Sequence, residues 1–248
     1  MSRVLTMRGM RGGCGATTLL AALGWALHEH GQRVLLLELC PAGMLGLHFG
    51  LPVSEPRGWA RAVLDGGDWR EQAFAVSEGL ALLPYGRADA GDVSRVDAWL
   101  AAREGWWPQR LAGMSGEYDW ILVDLPHAPP VHAEGLVGAD AAGLALTVVT
   151  VDPACHVALH RRAPDGLVLA NRYDPSRQLQ RDLVHLWQRG LGARLVPQLV
   201  HEDAVVPEAL AMKQPVGRFM PDALAAADAA ALALWCIARA ARMPAEGA

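Results

Sequence analysis

Four cysteines are all that the 248-residue sequence offers, at Cys14, Cys40, Cys155 and Cys236, and no two of them form a CxxC pair. That spacing excludes a disulfide framework and the usual zinc signatures, and free thiols in a cytosolic protein are expected. Charge is sparse as well. Charged residues make up 19% of the chain, the net charge is −4, and no basic block occurs, so non-specific nucleic-acid binding has no electrostatic support. The first apolar stretch is broken by Arg8 and Arg11 and then by a glycine loop, so no secretory leader is expected. Repeats, linkers and low-complexity segments are missing too. The expectation is one domain over residues 1–243 with a short tail at 244–248, too short for an amphipathic membrane anchor.

What is present is apolar material, 52% of the chain, in runs that alternate with helical patterns. Strands are predicted at Val4–Met7, Val34–Leu37, Leu80–Leu83, Trp120–Val123, Leu144–Val151, Leu167–Ala170 and, briefly, Arg194–Val196. Helices are predicted at Thr17–His30, Arg177–Arg189, Ala204–Lys213 and Asp222–Arg242. A further helix within Asp92–Met114 is interrupted near Gly105 and Pro108. The unbroken leucines of the second strand imply burial on both faces. Repeated strand–helix alternation implies an α/β fold, a mainly parallel twisted sheet with helices on both faces. The apolar C-terminal run carries Asp228 and Arg239 and is rich in alanine, so it is expected to be a packed terminal helix rather than a membrane span. Nine tryptophans are many for this length. Trp59, Trp69, Trp106 and Trp107 lie outside strand-like runs, and core or groove packing accounts for them better than an interface does.

Chemistry concentrates at Gly9-Met10-Arg11-Gly12-Gly13-Cys14-Gly15-Ala16-Thr17-Thr18, between the first strand and the first helix. A phosphate-binding loop follows G-x-x-x-x-G-K-[ST]: glycines let backbone N–H groups curl round phosphates, the lysine reaches the terminal phosphates and the hydroxyl binds magnesium. Here the lysine is missing. Ala16 holds its position and Met10 holds that of the first glycine, while Gly12, Gly13, Gly15 and Thr17 remain. Phosphates would then rest on Gly12, Gly13, Cys14, Gly15 and the Ala16 amide at a helix N-terminus, where free N–H groups and the helix dipole favour anions. Thr17 would bind Mg²⁺ directly and Thr18 would contact the α-phosphate. The strand Trp120–Val123 ends at Asp124, placed to hold the magnesium of ATP through water.

After the second strand comes Glu38-Leu39-Cys40-Pro41. The order Arg-Gly-Gly-x-Gly-x-Thr-Thr, a strand ending in an acid, and then Val-Asp-Leu-Pro resembles the partition and septum-site ATPases, the ParA and MinD families of P-loop NTPases with a deviant Walker loop. Further stretches make the resemblance narrower: Cys40-Pro41, Gly58-Trp59-Ala60-Arg61-Ala62, Leu64-Asp65-Gly66-Gly67-Asp68-Trp69-Arg70, Cys155-His156-Val157-Ala158-Leu159-His160 and Lys213-Gln214-Pro215-Val216-Gly217. Spread over most of the chain, they are similar to the BcsQ (YhjQ) family of bacterial cellulose-biosynthesis proteins.

This resemblance implies a homodimer with ATP and Mg²⁺ sandwiched between subunits. Arg11 stands where the wider families carry a signature lysine that reaches the partner's nucleotide, and a guanidinium fork suits that task. Asn171 matches a position that contacts adenine. Cys40 stands where those families place an aspartate that orients the attacking water, so hydrolysis is expected to be weak or absent and no catalytic residue is assigned. The implied role is assembly or activation of the cellulose synthase, in biofilm-forming bacteria, from the cytoplasmic side of the inner membrane with small accessory partners. Two other readings stay open: a turnover ATPase that positions cargo, and a scaffold that has lost nucleotide. His156 and His160 lie four apart on one helix face without further ligands at zinc spacing, which favours packing over a metal site. Iron–sulfur reductases share this general fold, but the cysteines here do not sit in a cluster-binding context.

Overall fold

A computed structural model of the chain describes residues 2–128, 136, 143–162, 164 and 166–242, so the tail at 244–248 lies outside them. Seven strands form one sheet: β1 (Arg3–Gly9), β2 (Val34–Glu38), β3 (Phe74–Ser77), β4 (Leu80–Leu83), β5 (Trp120–Asp124), β6 (Leu144–Thr150) and β7 (Leu167–Asn171). Their order is β3-β4-β2-β5-β1-β6-β7, and every neighbouring pair is parallel except β3 with β4.

Strand side chains alternate between two cores, as a pleat of period two requires. Val34, Leu36, Trp120 and Leu122 enter one buried cluster, while Leu35, Leu37, Ile121 and Val123 enter the other. Helices α1 (Ala16–Glu29), α5 (Pro153–Arg161), α6 (Gln178–Leu191), α7 (Val205–Ala211), α8 (Val216–Phe219) and α9 (Leu224–Arg242) contribute to the first cluster. Helices α2 (Trp59–Asp65), α3 (Ala90–Ala101) and α4 (Trp106–Ala112) contribute to the second. Each fully buried leucine or isoleucine contributes about 1.5–3 kcal/mol of transfer free energy, which is why both faces are covered.

α9 packs against α1 through a face of small residues, Ala225, Ala226, Ala229, Ala233 and Ala240, with Leu232 and Cys236 also buried. Among the described residues it is the helix long and apolar enough to cross a membrane, but this packing makes it the terminal core helix expected from the sequence. Its one interior acid, Asp228, accepts hydrogen bonds from His201 N (2.8 Å) and Nδ1 (2.9 Å), so the charge docks a loop.

Two details differ from the sequence expectation. β3 is an additional, antiparallel edge strand; only Phe74 and Val76 are strongly apolar in it, and its register shifts between Ala75 and Ser77. The expected strand Arg194–Val196 is reduced to a single bridge between Leu195 and Val168. Gly192–Arg194 close a 3₁₀ turn after α6, Val196 N donates to Val168 O (2.8 Å), and Pro197 has no N–H to continue the ladder. The helical region at 92–114 is interrupted as expected, into two helices parted at Gly105, whose φ of 74° needs glycine. Pro108 is third in α4, where no intrahelical acceptor is lost.

Trp59 of α2, Trp106 and Trp107 of α4, Trp69 and Trp99 form an edge-to-face cluster. Ring centroids lie 4.9 Å apart for Trp59–Trp107, 4.7 Å for Trp106–Trp107 and 5.7 Å for Trp69–Trp107, with Tyr85 at 5.0 Å from Trp59. Trp59 is placed by a close backbone approach: a Cβ on Gly58 would lie 2.3 Å from Gly86 N. Gly58→Ala is therefore expected to lower stability by about 1–3 kcal/mol through overpacking, seen as a lower urea midpoint in tryptophan fluorescence; an unchanged midpoint would contradict the close approach.

Candidate nucleotide-binding site

In an open parallel sheet, ligands bind beyond the carboxyl ends of the strands. Five neighbouring strands here end in residues that matter to the site: Glu38 on β2, Asp124 on β5, Gly9 on β1, Thr150 on β6 and Asn171 on β7. The loop after β1 turns sharply at Gly9, where a Cβ would meet Arg11 O at 2.6 Å. Gly13 and Gly15 adopt left-handed φ of 79° and 82°, and Gly15 is the N-cap of α1. Successive N–H groups are thereby turned to one side, an anion-binding nest. A Cβ on Gly12 or Gly13 would meet nothing within 4 Å, so a ligand has room to approach. Ala16 is buried in the first core cluster. Lys213, the one lysine of the chain, lies after α7 and does not replace the missing loop lysine.

The Thr17 hydroxyl donates to both Asp124 carboxylate oxygens, at 3.0 and 3.2 Å. Asp124 sits on the same rung as Glu38, and both are almost fully buried. Burial, reinforced by Glu38 and opposed by Thr17, pushes the Asp124 carboxyl up to about 8. Burial also pushes Glu38 up to about 7, opposed by two N–H donors, Leu45 (2.6 Å) and Tyr85 (3.2 Å). Cys40 lies half-buried beyond β2. Burial and then the nearby acids push its thiol up to about 11, so it stays neutral near pH 7 and cannot replace a carboxylate base.

Arg11 folds back onto the chain itself. Its Nη2 donates to Asp152 Oδ2 (2.5 Å) and Thr150 Oγ1 (3.1 Å). Asp152 is the N-cap of α5 and accepts from Cys155 N at 2.8 Å. Burial alone would raise its carboxyl, but bonds from Thr150, Cys155 and Arg11 prevail and hold it below the usual range. The pair is 43% and 30% exposed, so the tether contributes only about 0.2–1 kcal/mol.

Asn171, at the end of β7, is hydrogen-bonded to the loop after β1. Its Nδ2 donates to Cys14 O (2.8 Å) and its Oδ1 accepts from Arg172 N (2.9 Å), so it props the phosphate loop from behind. It also lines a cavity of about 250 Å³ with Gly15, Thr18, Val200, Asp203 and Leu210, alongside the loop. Asp203 orders the far wall by accepting from Val205 N (2.9 Å) and Ala225 N (3.0 Å). His156 and His160 meet edge to face with ring centroids 4.4 Å apart, and Trp187 Nε1 donates to His156 Nδ1 (3.1 Å). Among the described residues no group of three or more metal-ligating side chains occurs.

The sequence signature Gly-Trp-Ala-Arg has a role that sequence reasoning did not assign. Trp59 Nε1 donates to Glu38 O (2.7 Å), while Trp59 N and Ala60 N donate to Pro84 O and Tyr85 O. Together with the Glu38 carboxylate, this ties the loop after β2 to the end of β4.

The family model for cellulose biosynthesis protein BcsQ matches residues 1–237. The chain is 40% identical to BcsQ of Escherichia coli K12 and 37% identical to BcsQ of Salmonella typhi, in each case over 94% of both chains. It belongs to the BcsQ family. In fold it is similar to the septum site-determining protein MinD of Pyrococcus horikoshii, solved with Mg-ADP (TM-score 0.71, 21% identity, 98% and 100% of the two chains). It is also similar to cobyrinic acid a,c-diamide synthase of Mycobacterium smegmatis, solved with an ATP analogue and magnesium (TM-score 0.72, 21% identity, 96% and 94%). The family's fold is thus the P-loop fold of the MinD and ParA ATPases, as the glycine loop implied.

The two buried carboxyls set a pH dependence. Their folded pKa values lie above those of the unfolded chain, so the folded state holds extra protons and loses stability as pH rises from about 4 to about 8. Asp124→Asn removes one of these groups. Without magnesium at pH 8 it is expected to raise the melting temperature by about 2–4 °C, as roughly 1 kcal/mol would, with little change at pH 5. A lower melting temperature at pH 8 would contradict the assignment.

Proposed function

We propose that this chain binds Mg·ATP, dimerises around it, and uses the dimer to assemble or activate the cellulose synthase from the cytoplasmic side of the inner membrane, with slow or no hydrolysis. The observation that carries the nucleotide reading is the nest of Gly12, Gly13 and Gly15 at the start of α1, with Thr17 bonded to the buried Asp124. A buried carboxylate pair whose protons are held by burial fits a divalent cation, which would relieve the same electrostatic cost. Thr17 and Asp124 would hold magnesium, which when bound neutralises phosphate charge. Gly12, Gly13, Cys14, Gly15 and Ala16 would hold phosphates through N–H groups, and Thr18 would contact the α-phosphate. The neighbouring cavity would take the base.

Loss of the loop lysine costs on the order of 1.5–3 kcal/mol, or about ten- to a hundredfold in affinity, which cellular ATP tolerates. The neutral Cys40 thiol supports slow turnover. Arg11 is the proposed cross-subunit contact. It cannot hold Asp152 and a partner's phosphate together, but releasing Asp152 is inexpensive. The role in cellulose synthesis rests on family membership, and small accessory proteins of the secretion machinery are the proposed partners.

Calorimetry with Mg·ATP is expected to show binding that Thr17→Ala weakens at least tenfold, and turnover is expected far below about 1 s⁻¹. No binding at millimolar ATP would refute the nucleotide reading. By light scattering, wild type is expected to be a dimer with ATP, Arg11→Ala a monomer, and Asp152→Asn a dimer at lower ATP. An ATP-bound dimer of Arg11→Ala as populated as wild type would refute the cross-subunit role.

A further inference from the structure

Cys14 and Cys155 are 141 residues apart in sequence, yet their Sγ atoms lie 3.8 Å apart, and both are buried. The fold brings them together. β1 pairs with β6, Met10 N donates to Val148 O (2.8 Å) as the phosphate loop departs, and Cys155 stands in the first turn of α5, just after β6. Cys14 lies between Gly13 and Gly15, the two left-handed residues of the nest. Cys155 Sγ also contacts Thr150 Oγ1 (3.3 Å), and Thr150 in turn accepts from Arg11. All four cysteines are free thiols, and the nucleotide reading uses the Cys14 backbone but neither thiol of this pair.

We propose that Cys14 and Cys155 form a reversible disulfide that clamps the phosphate loop to the start of α5 and weakens nucleotide binding. The effect on nucleotide rests on the proposed Mg·ATP site; the clamp itself does not. An S–S bond is about 2.05 Å long, so the sulfurs must approach by roughly 1.7 Å. That movement pulls on the residue between two flexible glycines and shifts the N–H groups aimed at phosphate. The oxidant is a low-molecular-weight disulfide such as oxidised glutathione. The Cys14 thiolate attacks one of its sulfurs, forming a mixed disulfide and releasing one glutathione. Cys155 then attacks Cys14 Sγ, forming the protein disulfide and releasing the second; the two protein protons leave on the two glutathione thiols. Cys14 is the natural attacking group, since its hydrogen bond with Cys155 lowers its pKa while the same bond raises that of Cys155. Because the pair is sealed from solvent, attack requires the loop to open, so ligand on the loop opposes it. By linkage, the factor by which the disulfide weakens Mg·ATP is the factor by which Mg·ATP disfavours the disulfide.

The test equilibrates the full chain in glutathione buffers of graded potential. Non-reducing peptide mapping reads the cross-link, amide hydrogen exchange reads residues 12–16, and calorimetry reads Mg·ATP. Expected are a Cys14–Cys155 cross-link, at least tenfold slower exchange in the loop and at least tenfold weaker Mg·ATP. All three should be reversed by dithiothreitol and absent in Cys155→Ala, with Cys155→Ser as the alternative should alanine fold poorly. Absence of the cross-link in oxidising buffer overturns the proposal, as does a cross-linked protein whose affinity stays within twofold of the reduced form. If the reduced protein binds no Mg·ATP, the nucleotide reading fails on its own. The clamp then stands on a cross-link with slowed exchange and falls without them.

Discussion

Two carboxylates on one rung of a parallel sheet cannot both remain charged and buried unless something offsets them. Glu38 and Asp124 form that rung, and much of the surrounding architecture answers to it. Glu38 is met by the backbone N–H groups of Leu45 and Tyr85, which fold two loops toward the strand end. Among the described residues Asp124 is met by a hydroxyl, that of Thr17, and by no cation, where the proposed magnesium would be shared with the phosphate loop. The asymmetry divides their surroundings: Glu38 is tied into the fold by two backbone donors, and Asp124 is the acid that the proposed magnesium site draws on.

Much of this was legible in the sequence. The leucine run of β2, the glycine loop and the acid ending β5 each carry a local signal, and the two-sided burial of the sheet follows from strands such as β2 and β5 that are apolar at every position before the terminal acid. What was not legible is pairwise and distant. Nothing in the spacing of Arg11 and Asp152 announces a contact across 141 residues, and the same separation hides Cys14 and Cys155. Asn171 stands out only through its match to a family position; its bond to Cys14 O depends on the loop's path after Gly13 and has no local signal. Glu38 stands at a familiar acidic position, but its partners arrive from residues 45 and 85, beyond any motif. β3 escaped because an edge strand needs only half of its side chains apolar.

The replacement of lysine by Ala16 alters what kind of site this is. A lysine contributes a mobile point charge that follows phosphate; backbone N–H groups contribute fixed dipoles that work only in one geometry. A site of the second kind depends on the supports behind it: Asn171 against Cys14, Gly9 in its turn and the first turn of α5 beside the loop. Changes at those supports therefore count for more here than in a loop with its own cation.

The tryptophan cluster has an optical consequence. Indoles whose centroids lie 4.7–5.7 Å apart at near-perpendicular angles share their excitation, and one of them, Trp59, is hydrogen-bonded to the backbone of Glu38. A displacement of the segment after β2 would reorient that donor and disturb the coupling of the whole array. The protein thus carries an intrinsic chromophore joined to the segment after β2, and its near-ultraviolet circular dichroism is a readout of that segment without any attached label.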